Sequence, residues 1–142
     1  PIRQMIQGSE QWFLSGRKTE IYTLLTISMP IWVYFGVFEI SPWQATVGKH
    51  FLKLQTWDKT SHHTITLPQS IIRTIIKMLP WEIAHLTNNI PVPIWYDPNP
   101  GFRPGFVLVP LLATIYIVLV LLTKNNQSFH DLIANTIVVH RN

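Results

Sequence analysis

The sequence contains no cysteine. This absence excludes disulfide bonds, thiolate nucleophiles and every metal or redox site that uses cysteine ligands. Histidine, aspartate and glutamate are therefore the residue types left for acid–base chemistry or for ion binding.

Charged residues are also scarce. They make up 13% of the 142 residues, well below the roughly 25% that is usual in soluble domains. Lysine and arginine outnumber aspartate and glutamate by 11 to 7, which gives a net charge of +4. The basic residues are scattered, without a basic helix or a patch interleaved with aromatic residues, so we expect no nucleic-acid partner. The basic excess favours contact with anionic lipid headgroups.

Arrangements typical of enzymes are missing as well. There is no Ser-His-Asp set, no pair of carboxylates at catalytic spacing and no zinc-protease helix. Gly48 and Lys49 superficially resemble part of a phosphate-binding loop, but that loop needs a second glycine and a Ser or Thr where His50 stands. We therefore expect no enzymatic activity, no cofactor and no bound metal, and we expect a tight turn that places Lys49 near headgroups.

The sequence does have two long apolar runs. Phe106 to Leu122 carries no charge, and as a helix it would be about 25 Å long, close to the hydrocarbon thickness of a bilayer. A second run extends from Ile21 to Phe38. We predict membrane spans over about residues 21–39 and 106–123, with a kink at Pro30 that frees one backbone carbonyl.

Segment 69–89 predicts a helix of mixed character. Its aliphatic residues share one side, Arg73 and Lys77 share another, and Pro80 is expected to break the backbone hydrogen-bond ladder. A charge at mid-bilayer costs roughly 2.5–3.5 kcal/mol, whereas a large aliphatic residue contributes only about 0.3–0.6 kcal/mol. Arg73 and Lys77 can extend their charged ends to the membrane surface, which leaves only Glu82 deep in the bilayer. The net free energy of inserting the helix is then near zero. The helix therefore either lies in the interface or crosses with a protein partner for Glu82.

Four ionisable residues are candidates for ion or proton handling. They are Glu82, His85, His130 and Asp131, with Arg73 and Lys77 as counter-charges or structural residues. Glu82 and His85 are neighbours on a helix and could relay protons or hold a cation, although headgroup water at an interface would explain them equally well. Asp131 either stabilises a helix start or pairs with Arg73 across the bundle.

The remaining segments predict smaller elements. Residues 51–66 indicate a short β-hairpin, and Ser128 is placed to cap a short helix that ends at about Ala134. The predicted fold class is an all-α membrane protein. It is a single domain over residues 1–142, a small transmembrane helical bundle with a short cytoplasmic β-hairpin and a C-terminal tail over 124–142.

Lysine and arginine counts predict the orientation. Segment 40–70 and the C-terminus are basic and are expected in the cytoplasm, whereas segment 90–105 contains only Arg103 and is expected outside. This arrangement requires segment 69–89 to cross the membrane.

Three segments together resemble the RDD family of integral membrane proteins. WQATVGK at 43–49 and FHDLIANTIVV at 129–139 resemble its hallmark segments, and residues 73–85 resemble a form found in part of the family. The resemblance covers residues from about 30 to the end. It implies that, of the arginine and two aspartates that name the family, only the last aspartate is matched, by Asp131. The other two would lie on a first membrane helix that this chain lacks.

The resemblance implies a role in transport, with cation/proton exchange proposed for some members. We therefore expect a transport-related protein of the bacterial plasma membrane that handles a cation or proton. Its expected partners are the lipid bilayer and either further copies of itself or other membrane proteins. The alternative is a non-transporting scaffold or accessory subunit, in which the polar groups only lock helices together.

Overall fold

A computed structural model describes residues 13–141. The elements are α1 (Gly16–Ile40), α2 (Val47–Phe51), β1 (Leu54–Asp58), α3 (Leu67–Asn89), a 3₁₀ turn (Ile94–Tyr96), α4 (Gly105–Leu122), α5 (Phe129–Ile133) and β2 (Thr136–His140). The fold is mostly helical with one two-stranded antiparallel sheet. The expected lack of a first family helix concerns the chain before Phe13 and lies outside the described residues.

The three long helices lie antiparallel, with α3 in the middle. α3 packs along α1 on one side and α4 on the other, while α1 and α4 have few contacts with each other. Two of these helices are long and apolar enough to cross a membrane. Their best 18-residue windows have mean hydropathies of 1.6 in α1 and 2.7 in α4, and only 6% of each window is buried.

The predicted spans agree with α1 and α4, although α1 starts at Gly16 rather than near residue 21. α1 passes through Pro30 without breaking. A π-helical turn over Leu24–Ser28 ends two residues before the proline, and such local changes of helix type accommodate proline in apolar helices.

α3 continues through Pro80, which interrupts the backbone hydrogen-bond ladder, as the sequence predicts, without ending the helix. Proline has no backbone N–H, so the carbonyl of Ile76, four residues earlier, loses its helical donor. The hydroxyl of Tyr116 on α4 donates a hydrogen bond to that carbonyl. A neighbouring helix thus satisfies the polar group that the proline frees.

One arginine caps the C-terminal end of α3. The Nη1 atom of Arg103 donates to the carbonyls of Thr87, Asn88 and Ile90, at 2.7, 3.1 and 3.1 Å, and its Nη2 atom donates to that of Val92 at 2.8 Å. The last carbonyls of a helix lack intrahelical donors. Arg103 supplies them and folds the proline-rich loop back over the helix end.

The predicted pairing of a β-hairpin within residues 51–66 is wrong. β1 pairs with β2 from the C-terminal tail, with Leu54 opposite His140, and only one bridge, between Trp57 and Thr64, remains of the hairpin. The reason lies in Thr66, whose side chain and backbone form a capping box with Gln69 at the start of α3. The helix start therefore ends the chain segment that would have formed the second strand.

The first residue of α1 lies very close to the last residue of α3 and to the loop that follows it. A Cβ atom at Gly16 would lie 2.1 Å from the carbonyl oxygen of Asn89 and 2.5 Å from that of Pro91. Only glycine fits there without moving backbone.

We expect Gly16→Ala to lower the thermal unfolding midpoint of the detergent-solubilised protein. The added methyl must separate two backbone segments, and overpacking of this kind costs about 1–3 kcal/mol. Gly48→Ala is the matched control, because a Cβ at Gly48 on α2 meets nothing within 4 Å. Alanine is favoured over glycine inside a helix by roughly 0.5–1 kcal/mol, so this variant should be neutral or more stable. Equal midpoints for the two variants would contradict the close approach.

Candidate functional site

A buried charge cluster joins three elements at the sheet end of the helices. Glu39 comes from the last turn of α1, Arg73 from the second turn of α3 and Asp131 from α5. The Nε atom of Arg73 lies 2.9 Å from Oε2 of Glu39, and its Nη1 atom donates to Asp131 and to Thr136 of β2. The side chains of Glu39 and Arg73 are fully buried. One guanidinium therefore connects α1, α3, α5 and the sheet.

Two lysines complete the cluster around Glu39. The Nζ atom of Lys77 lies 2.7 Å and that of Lys49 3.3 Å from Oε1 of Glu39. Because Glu39 stands at the C-terminal end of α1, where the helix dipole disfavours a carboxylate, these cations are needed to hold it there. With Arg73 and Asp131, the cluster contains three cations and two carboxylates, an excess of one positive charge when His130 is neutral.

Lys49 belongs to this cluster rather than to the exposed turn that the sequence predicted. Its ammonium also donates to Oγ1 of Thr56, at 3.0 Å, and its side chain is only 23% exposed. Burial lowers the pKa of Lys49, and the nearby charge of Glu39 opposes that shift. Gly48 lies in the short helix α2, which positions this lysine.

Both alternatives predicted for Asp131 are present together. Its Oδ2 atom accepts the backbone N–H of Ser128 at 3.1 Å, which forms the predicted cap of α5. Its Oδ1 atom accepts from Arg73 and from Oγ1 of Thr136, the latter at 3.2 Å. Both carboxylate oxygens are thus occupied by donors of the protein itself.

His130 lies at the edge of the cluster. Its Nε2 atom is 3.4 Å from Oδ2 of Asp131, and its ring centroid is 6.2 Å from that of Tyr116. Burial lowers the pKa of His130 to about 4, although the negative charge of Asp131 acts in the opposite direction. His130 is therefore neutral near pH 7.

Glu82 and His85, called the Glu82 group below, lie one turn apart on α3 and away from the cluster, and within residues 13–141 no hydrogen bond or ion pair joins the two. Glu82 is nine residues beyond Arg73, or about 13 Å along α3. Its Oε1 atom accepts a hydrogen bond from the indole nitrogen of Trp32 at 3.2 Å, and within residues 13–141 it meets no cation. The ring of His85 stands edge-on to that of Trp81 at 4.6 Å between centroids. The structure therefore does not bring this pair together with His130 and Asp131.

Glu39 is the residue that the sequence analysis missed. It ends an apolar run, and a carboxylate at that place is equally consistent with an exposed interfacial position. The available signal was the number of lysines and arginines that follow it, which require acidic partners if they are buried. Their convergence on Glu39 depends on the antiparallel packing of α1 and α3, and a linear sequence does not show that packing.

The cluster and the Glu82 group differ in the chemistry open to them. Glu39 and Asp131 already accept hydrogen bonds from cations of the protein. Among the described residues, Glu82 accepts only one hydrogen bond, from a neutral indole. Within the described part of the chain, no three histidine, aspartate or glutamate side chains form a group that could hold a metal ion.

Comparison with known proteins gives one match. A family model described as RDD family matches residues 3–135, which extends beyond the segment from about residue 30 on which the sequence resemblance rests. No curated protein and no solved structure matches the chain.

We expect Arg73→Met to destabilise the detergent-solubilised protein strongly. The substitution keeps an apolar side chain of similar length and leaves Asp131 without its cation and Glu39 without one of its three. Removing one partner of a buried ion pair costs about 3–5 kcal/mol. The thermal unfolding midpoint measures this loss, with Lys124→Gln at an exposed lysine as the control. An unfolding midpoint for Arg73→Met that equals the control's would show that the cluster is not structural.

A second prediction concerns pH and His130. Its pKa of about 4 lies below the ordinary 6.5, so between these values the unfolded chain binds more protons than the folded one. Stability contributed by the neutral histidine is therefore complete above about pH 6.5 and is lost as the pH falls towards 4. We expect His130→Gln to flatten the fall of the unfolding midpoint between about pH 6.5 and 4.5. His62→Gln, at an exposed loop histidine, should leave the slope unchanged, and identical slopes for both variants would disprove the prediction.

Proposed function

Because the chain belongs to the RDD family, we propose that it is a multi-pass membrane protein in which α1, α3 and α4 all cross the bilayer. We further propose that Glu82, with His85, exchanges a proton or binds a cation within the membrane. The observation that carries this proposal is that, within residues 13–141, Glu82 accepts a single hydrogen bond, donated by Trp32.

Crossing by α3 is supported by its length and its neighbours. Its 23 residues would extend about 34 Å, enough for a bilayer. It lies antiparallel between the two apolar helices, and its exposed side chains include Ile71, Ile72 and Ile75. Arg73 is paired near one end, and the indole of Trp32 is the protein partner that a crossing helix requires for Glu82.

The position of Glu82 favours ion chemistry there over the charge cluster. Glu82 is seven residues from the end of α3, or about 10 Å inside it. An ionisable residue at such depth is a functional candidate by default. Glu82 can take up a proton or a cation without first breaking an ion pair, whereas Asp131 cannot. His85, one turn away, is the proposed relay, and His130 and Asp131 are assigned to the structural cluster.

The proposed orientation places the sheet end of the bundle in the cytoplasm, at the bacterial plasma membrane. Pairing of β1 with β2 supports a common side for segment 40–66 and the C-terminal tail, and both are basic. α1, α3 and α4 form a single layer, and a single layer of helices encloses no pathway for an ion. We therefore propose that copies of this chain or other membrane proteins complete such a pathway.

The test is ion flux in reconstituted vesicles. Purified protein is placed in liposomes containing a pH-sensitive dye, and an inward sodium or potassium gradient is applied. Glu82→Gln should reduce coupled proton movement about tenfold or more, because the amide cannot release a proton. Glu20→Gln, the same change on α1 where Glu20 accepts a hydrogen bond from Asn89, should leave the flux unchanged. Equal flux through the Glu82→Gln variant and the unmodified protein would refute the proposal.

A non-transporting scaffold is the second candidate. It is favoured by the cluster, in which every carboxylate oxygen is used to hold elements together. It predicts that vesicles with the unmodified protein are no leakier than empty ones under any of these gradients.

A further inference from the structure

A groove runs between α1 and α4 across the middle helix. It has a volume of about 500 Å³, and its lining, apart from one lysine, is apolar: Ile31, Phe35, Met78, Trp81, Ala84 and Val109. Lys77 stands at the end nearest the charge cluster. From Lys77 to Ala84 the groove follows α3 for about 10 Å.

The lysine at its end remains able to bind an anion. The Nζ atom of Lys77 lies 2.7 Å from Glu39 and 4.4 Å from the centre of the Phe35 ring. An ammonium has three donors, and Glu39 accepts one of them. The side chain is 17% exposed.

The charge behind the groove also favours an anion. Glu39 shares its negative charge among Lys77, Lys49 and Arg73, so the cluster keeps an excess of one positive charge. The Nη2 atom of Arg73 is buried and meets no acceptor within residues 13–141. A ligand with an apolar chain and an anionic head complements both parts of this surface.

We propose that the groove binds an acyl chain of an anionic glycerophospholipid, with the phosphate at the Lys77 ammonium. The proposal rests on the membrane placement above, but not on ion handling at Glu82. A helix from a second copy fits less well, because an apolar helix in the groove would desolvate Lys77 without supplying a negative charge.

Lipid retention by the delipidated protein tests the proposal. The protein is titrated in detergent with dioleoyl phosphatidylglycerol or dioleoyl phosphatidylcholine, and native mass spectrometry counts the bound lipid. We expect about a fivefold preference for the anionic lipid, the effect of one lysine beside an anionic surface. Lys77→Gln should abolish this preference, and Lys124→Gln, which removes the same charge outside the groove, should keep it.

A second variant covers the case in which Lys77→Gln does not fold. Ala84→Leu narrows the groove without changing any charge, and it should reduce retention of both lipids. Equal binding of the two lipids by the unmodified protein would overturn the proposal. So would unchanged retention by Ala84→Leu, or dimers that retain no lipid. Glu82→Gln should keep the lipid preference, so a failure of the flux experiment and a failure of this one are distinguishable.

Discussion

The Arg73 guanidinium, held between Glu39 and Asp131, is the interaction on which the arrangement of the chain depends. Moving three charges out of water costs free energy, and this cost is offset only when every charged group has its partners in good geometry. Here those partners come from α1, α3 and α5, and Thr136 adds a hydroxyl from the sheet. The elements can separate only by leaving buried charge unpaired. The cluster thus sets the relative positions of helices whose apolar surfaces would otherwise pack in several ways.

The need to give every buried polar group a partner also explains the polar contacts elsewhere along α3. Tyr116 satisfies the carbonyl that Pro80 frees, Arg103 satisfies the carbonyls at the C-terminal end, and Thr66 with Gln69 caps the first turn. In an apolar environment each unsatisfied backbone group costs several kcal/mol. Side chains from the elements beside α3 thus complete the hydrogen bonding of its polar groups.

Local features could be predicted from the sequence and long-range pairings could not. The apolar runs of α1 and α4 are recognisable from composition alone, and Ser128 marks the start of α5 by its own side-chain chemistry. The hairpin prediction failed because strand propensity does not identify the partner strand. The hydroxyl that compensates for Pro80 could not be predicted because it is on another helix. Glu39 was missed for the same reason, since its three cations converge only after α1 and α3 pack together.

The pairing of β1 with β2 has a consequence for biosynthesis. β2 and Asp131 follow all three long helices in the chain, so they are the last of the paired elements to be synthesised. Until then Arg73 has only Glu39 as an acidic partner, and β1 has an unpaired edge. The last elements synthesised therefore act as a closing step, and a chain that ends before Asp131 has an unpaired strand edge at β1 and an incompletely neutralised arginine.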